Sequence, residues 1–162
     1  MAIFNKNTLT QVSGFNNQIF AGELVWNQVT YWNVSFTNSS TQEPIDLTGA
    51  TIDAQIIRRA LSNVRDSRYG LTFDIADVTP APDPIPLTVT NIDAGQGYFT
   101  LEIDSTAWDL INSDPELEIN AVDPVGFSGR IKVTQPASGS TPQNDLIMFL
   151  LFIVRSDGIV VE

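Results

Sequence analysis

Apolar and polar residues alternate one for one through most of the patterned stretches of this chain, and that period of two constrains the fold more than any other feature. Successive side chains of a strand point to opposite faces of a sheet, so a strand with one face in the core and one in water reads this way. Thr30, Trp32, Val34 and Phe36 share one face, while Tyr31, Asn33 and Ser35 share the other. After the turn Asp46-Leu47-Thr48-Gly49, the residues Ala50, Ile52, Ala54 and Ile56 alternate with Thr51, Asp53, Gln55 and Ile57. Shorter versions recur at Leu71–Ile75, Leu87–Val89, Tyr98–Ile103, Leu117–Val122 and Arg130–Val133. The longest apolar run, Leu146–Val154, has nine residues, far short of the roughly 20 a membrane helix needs, and reads as a buried strand.

The punctuation between these runs is that of an all-β protein. Asp93-Ala94-Gly95-Gln96-Gly97 offers two glycines to a tight reversal. One stretch breaks the period: Asp104 is a capping residue followed by Ser105-Thr106-Ala107-Trp108-Asp109-Leu110-Ile111, apolar at helical spacing, which predicts one short helix. Eight or nine short strands with polar turns and almost no helix predict an antiparallel β-sandwich, since parallel pairing calls for crossover helices that the sequence lacks. Four alternating prolines in Val78–Pro86 make a stiff excursion, and Gln135–Asn144 is a softer connector. No repeat of 20 to 50 residues is visible. Residues 1–18 read as an N-terminal arm and 19–162 as a single sandwich domain. The arm sets Ile3, Phe4, Leu9 and Phe15 among Asn, Thr and Gln, so it either folds back over its own domain or docks on a neighbouring subunit.

Composition enters as a filter on chemistry. In 162 residues there is no Cys and no His, which removes disulfides, thiolate nucleophiles, the commonest metal ligand and the commonest general base. An apolar fraction of 43% is enough for a core, and 19 acidic against 8 basic side chains leave a net charge of −11. Such a surplus repels phosphate backbones and anionic lipid, so neither nucleic acid nor a membrane surface is an expected partner. The opening Met1–Phe15 has one Lys and no apolar core long enough for a cleaved leader. No enzymatic activity and no cofactor is expected.

Within the acidic background, Arg58, Arg59, Arg65 and Arg68 gather half of the basic residues into eleven positions placed just after the end of a predicted strand. A basic loop of this kind either meets an acidic neighbour through bidentate Arg–carboxylate pairs or neutralises Asp side chains of its own subunit. The carboxylate pairs Glu116/Glu118 and Asp104/Asp109 are acid–base candidates for glycoside hydrolysis, and alternation with Leu117 and Ile119 sets the first pair on a solvent face. Asp74, Asp77 and Asp83 lack the order of a calcium loop. Gly126-Phe127-Ser128-Gly129 lacks the spacing of a nucleophile elbow. Trp32 and Trp108 fall on apolar faces, leaving Trp26 and Tyr31 as the aromatics that would stack on a sugar if exposed.

The segment Pro44-Ile45-Asp46-Leu47-Thr48-Gly49-Ala50-Thr51-Ile52-Asp53-Ala54-Gln55-Ile56-Ile57-Arg58 resembles the opening of the immunoglobulin-like module of tailed-phage virion proteins, notably the N-terminal domain of upper-baseplate proteins. Gly95–Leu101, the Ser105-Thr106-Ala107 turn and Ile153–Val160 with its Asp157-Gly158 hairpin resemble later parts of that module, so the likeness covers residues 20 to 162. Glu116–Thr134 stands as an insertion relative to it. The overall texture is similar to small virion proteins of contractile-tailed phages, including those that infect cyanobacteria. What the resemblance implies is an immunoglobulin-like sandwich carried in the virion, assembled in the host cytoplasm, and touching copies of itself or other virion proteins. A tail or baseplate accessory is the first expectation; capsid decoration and a carbohydrate-binding adhesion module that meets a host-surface glycan are the alternatives. Expected contact residues are Arg58, Arg59, Arg65, Arg68, Ile3 and Phe4, together with a short C-terminal strand Ile159-Val160-Val161 that leaves a sheet edge open to a partner strand.

Overall fold

Alternation of this kind buries one face of every strand only if two sheets close on each other, and the computed structural model has that arrangement. It describes residues 3–5, 11–13, 19–38, 40–66, 70–115, 117 and 125–155, with no side-chain description for 3–5, 11–13, 61–66, 70–75 and 155. In chain order the strands are β1 (Ile3–Asn5), β2 (Gln11–Ser13), β3 (Ile19–Val25), β4 (Thr30–Ser35), β5 (Thr51–Asp66), β6 (Gly70–Ala76), β7 (Ile85–Pro86), β8 (Thr88–Asp93), β9 (Tyr98–Ile103), β10 (Val125–Gln135) and β11 (Asn144–Arg155). Among the described residues the one α-helix, α1, is Ser105–Asn112, and a 3-10 turn occupies Ala94–Gln96. One sheet runs β2-β1-β6-β5-β10-β11-β3 with β7 also beside β5, and the other is β4-β9-β8. The fold is an all-β, immunoglobulin-like sandwich.

The small sheet contributes Val34, Phe99, Leu101 and Ile103 to the core, and the large sheet contributes Leu24, Ala54, Ile56, Phe127, Ile131, Val133, Leu150, Phe152 and Val154. Each of the Val, Leu, Ile and Phe side chains taken fully out of water stabilises by about 1.5–3 kcal/mol, so the alternation seen in the sequence is the driving pattern of the sandwich. Phe152 stacks on Trp32 with ring centroids 5.0 Å apart, and Phe20 meets both rings edge-on. In β11 all five residues from Leu150 to Val154 are buried, which is why that strand shows no alternation.

The turn chemistry follows the sequence closely. Asp46 Oδ1 accepts from the Thr48 amide at 2.9 Å and its hydroxyl at 2.6 Å, Leu47 is buried, and Gly49 takes φ 75°. Gly97 is required twice over: it sits at φ 61°, and a Cβ there would press on the carbonyl oxygens of Ile45 and Phe36. Asp104 caps α1, accepting from the Ala107 amide at 2.9 Å.

Four expectations are corrected. The sandwich is not wholly antiparallel, since β3 pairs parallel with β11 from Ile19↔Phe149 to Arg155↔Val25. No crossover helix is needed because the body of the domain itself forms the connection. The strand beginning at Thr51 does not end near Ile57 but runs on to Asp66, because β6 supplies a second partner from Ala60↔Ala76 to Asp66↔Gly70 after β10 ends. Arg58, Arg59 and Arg65 therefore lie in a strand rather than in a loop. The stretch Glu116–Thr134 is no mere insertion, because Val125–Thr134 belongs to β10, paired with β5 on one side and β11 on the other. The predicted strand Leu117–Val122 and the pair Glu116/Glu118 lie outside the described residues apart from Leu117, which packs against the core.

Candidate functional site

The Arg-rich stretch is divided by the strand that carries it. Arg58 donates from Nε to Asp114 Oδ2 at 2.5 Å and from Nη2 to Oδ1 at 3.4 Å, with side chains only 13% and 16% exposed. Asp114 lies just past the end of α1, so the pair fastens the helix exit to the large sheet. Arg59 donates from Nε to Ser128 Oγ at 2.7 Å and forms an ion pair with Asp77. Both are thus engaged by groups of their own chain. Arg65 opposes Leu71 near the end of the β5–β6 ribbon; Arg68 falls outside the described residues.

The other expected contact residues come from the two ends of the chain. Ile3 and Phe4 lie in β1, whose backbone pairs with Asp74 and Phe73 of β6 and with β2 on its other side. Ile159, Val160 and Val161 lie outside the described residues. Asp104 is occupied as a helix cap that also accepts from Thr88 Oγ1 at 2.6 Å, and these two hydrogen bonds, the hydroxyl first, hold its carboxyl below the usual range. Ser128 is mid-strand in β10, not at a strand-to-helix turn. Among the described residues no group of three acidic side chains is placed to hold a metal.

What the structure brings together lies elsewhere. Trp26 is 42% and Tyr31 68% exposed, and with Val25 and Val29 they supply four of the seven large apolar residues exposed among those described. All four lie within seven residues. The turn they flank is held rather than loose: Trp26 Nε1 donates to Asn112 Oδ1 at 2.8 Å, Asn112 Nδ2 to Asn27 Oδ1 at 2.7 Å, and buried Trp108 Nε1 to the Gln28 carbonyl at 2.8 Å. Helix α1 thereby fixes the approach to β4. Tyr31 stands on the outer face of the small sheet beside a polar belt in which Thr90 donates to Glu102 at 2.6 Å and Thr100 to Asn33 at 3.3 Å.

Val25 and Val29 were not among the candidates read from the sequence, although a signal for them exists there. No charged residue occurs from Leu24 to Gln42, the longest uncharged stretch in a chain of net charge −11. No family model matches the chain, and no curated protein matches it in sequence.

Proposed function

We propose that this is a non-enzymatic structural protein of a tailed-phage virion, working through contacts with copies of itself and with other virion proteins, as a tail or baseplate accessory before a capsid decoration protein. The observation that supports this best is the β5–β6 ribbon. Strand β5 continues for seven residues beyond its last β10 partner, Arg59, which at about 3.3 Å per residue carries the backbone roughly 20 Å onward. Of the N-terminal strands, β1 pairs with β6 of the ribbon and β2 with β1. A ribbon built from the N-terminus and carrying Arg65 in an acidic chain suits a contact element better than a catalytic one.

The experiment is mass spectrometry of purified particles, followed by incorporation of an Arg65→Glu, Arg68→Glu variant. The reading expects the chain in particles at stoichiometric level and a clear loss of incorporation by the variant; absence from particles overturns it. A second reading, a glycan-binding adhesion module, is favoured by the exposure of both Trp26 and Tyr31. Silence on a glycan array removes that reading.

A further inference from the structure

Among the described residues, strand β4 is an edge of the small sheet, paired with β9 and with no other strand. Exposed edges are usually guarded by Lys, Pro or a bulge, because an unpaired row of N–H and C=O groups templates another strand. The opposite edge of the same sheet is guarded: β8 loses register between Thr90 and Asp93, and Asn91 sits at φ 49°. Strand β4, Thr-Tyr-Trp-Asn-Val-Ser, has no charge, no Pro and no register break.

We propose that the β4 edge pairs antiparallel with β4 of a second copy of this chain, joining two small sheets into one of six strands. The proposal deepens the contact-making reading above and rests on it for the role of self-contact. Charge argues for a second copy as the occupant. Two chains of net charge −11 repel over most of their surfaces, and the uncharged stretch Leu24–Gln42 is where they meet without that repulsion.

Register makes the strand self-complementary. The Phe36 amide donates to the Gly97 carbonyl, its partner one step beyond Ser35↔Tyr98. Bonding pairs alternate along an antiparallel ladder, so Thr30, Trp32 and Val34 bond toward β9 and Tyr31, Asn33 and Ser35 direct their backbone groups at the open edge. A two-fold axis at Asn33 then sets Asn33 against Asn33 of the second copy and Tyr31 against Ser35 on the outer face. Trp32 falls opposite Val34 on the inner face. Large residues oppose small ones and apolar residues oppose apolar ones, which is the pairing that stabilises a sheet.

The chain has no cysteine, so one introduced thiol reports this geometry without background. In an Asn33→Cys variant the two Cα atoms lie about 5.5 Å apart, inside the range a disulfide spans. Mild oxidation of the full chain is expected to give a covalent dimer for Asn33→Cys and none for Ser140→Cys, an exposed position on the β10–β11 connector. Adding Tyr31→Lys and Ser35→Lys, both at exposed sites, is expected to lower the dimer yield about tenfold or more with unchanged circular dichroism. Equal cross-linking at positions 33 and 140, or none at 33, overturns the proposal. If the chain is present in particles and does not cross-link at 33, self-pairing fails while the virion reading stands; if it cross-links but is absent from particles, the reverse holds.

Discussion

Replacing Arg58 by Ala separates a structural arginine from a partner-seeking one, and the size of the effect can be worked from its surroundings. Its Nε–Oδ2 contact with Asp114 is 2.5 Å, and about six-sevenths of each side chain is shielded, at 13% and 16% exposure. Breaking a fully buried pair costs about 3–5 kcal/mol, since the remaining charge is stranded, whereas an exposed pair is worth about 0–1 kcal/mol. With water reaching the edge of the Asp114 carboxylate, about 2–3 kcal/mol is the expected loss for Arg58→Ala. In a domain of this length each kcal/mol moves Tm by about 2–4 °C, giving a fall of about 4–12 °C. Arg58→Met with Asp114→Leu removes both charges and is expected to recover most of that loss, whereas Asp114→Leu alone strands the Arg58 charge and is expected to cost as much as Arg58→Ala. Thermal unfolding followed by circular dichroism, with urea titration as a second measure, reads all four proteins. An unchanged Tm for Arg58→Ala, combined with failure to enter particles, would refute the reasoning and return Arg58 to the partner surface.

Four further outcomes are expected. Asp104→Ala removes the α1 cap and is expected to cost about 0.5–2 kcal/mol in a denaturant titration. Because the Asp104 carboxyl is held below its ordinary value by Thr88 and Ala107, its contribution is present above about pH 4 and lost as pH falls through the lowered folded value, so Asp104→Asn should show a smaller drop in Tm between pH 7 and pH 3 than the parent. Gly97→Ala combines a positive φ with a Cβ aimed at two carbonyl oxygens, and a loss of about 2 kcal/mol or more in urea is expected, against a negligible loss for Gly95→Ala, where only Asp93 Oδ1 is near. Trp108→Phe removes the indole donor to the Gln28 carbonyl, and about 0.5–1.5 kcal/mol is expected from thermal unfolding.

The parts of this fold legible in the sequence are those where one strand face meets water. Residues 30–36, 51–57 and 98–103 alternate cleanly because their outer faces carry Tyr31, Thr51 or Glu102, and the Asp46–Gly49 turn and the Asp104 cap announce themselves through local hydrogen-bonding chemistry. Strand β5 past Ile57 was not legible, since Arg58 points where an apolar residue would be expected and is accommodated by Asp114, 56 positions away. Nor was the β3–β11 pairing, which joins the first and last strands of the sandwich and has no local signature. The candidate surface was half legible: Trp26 and Tyr31 stand out as aromatics, but their grouping with Val25 and Val29 depends on a turn held by Asn112 and Trp108. The uncharged run Leu24–Gln42 pointed there more directly than the arginines did, because in a strongly acidic chain missing charge is as local a signal as surplus charge.

The most direct test of the whole account is a cryo-electron reconstruction of the purified particle with this chain traced in it. A regularly repeated sandwich is expected, with its β5–β6 ribbon touching a neighbouring virion protein and its β4 edges meeting across a two-fold axis at Asn33. Particles that contain no density for the chain would contradict it.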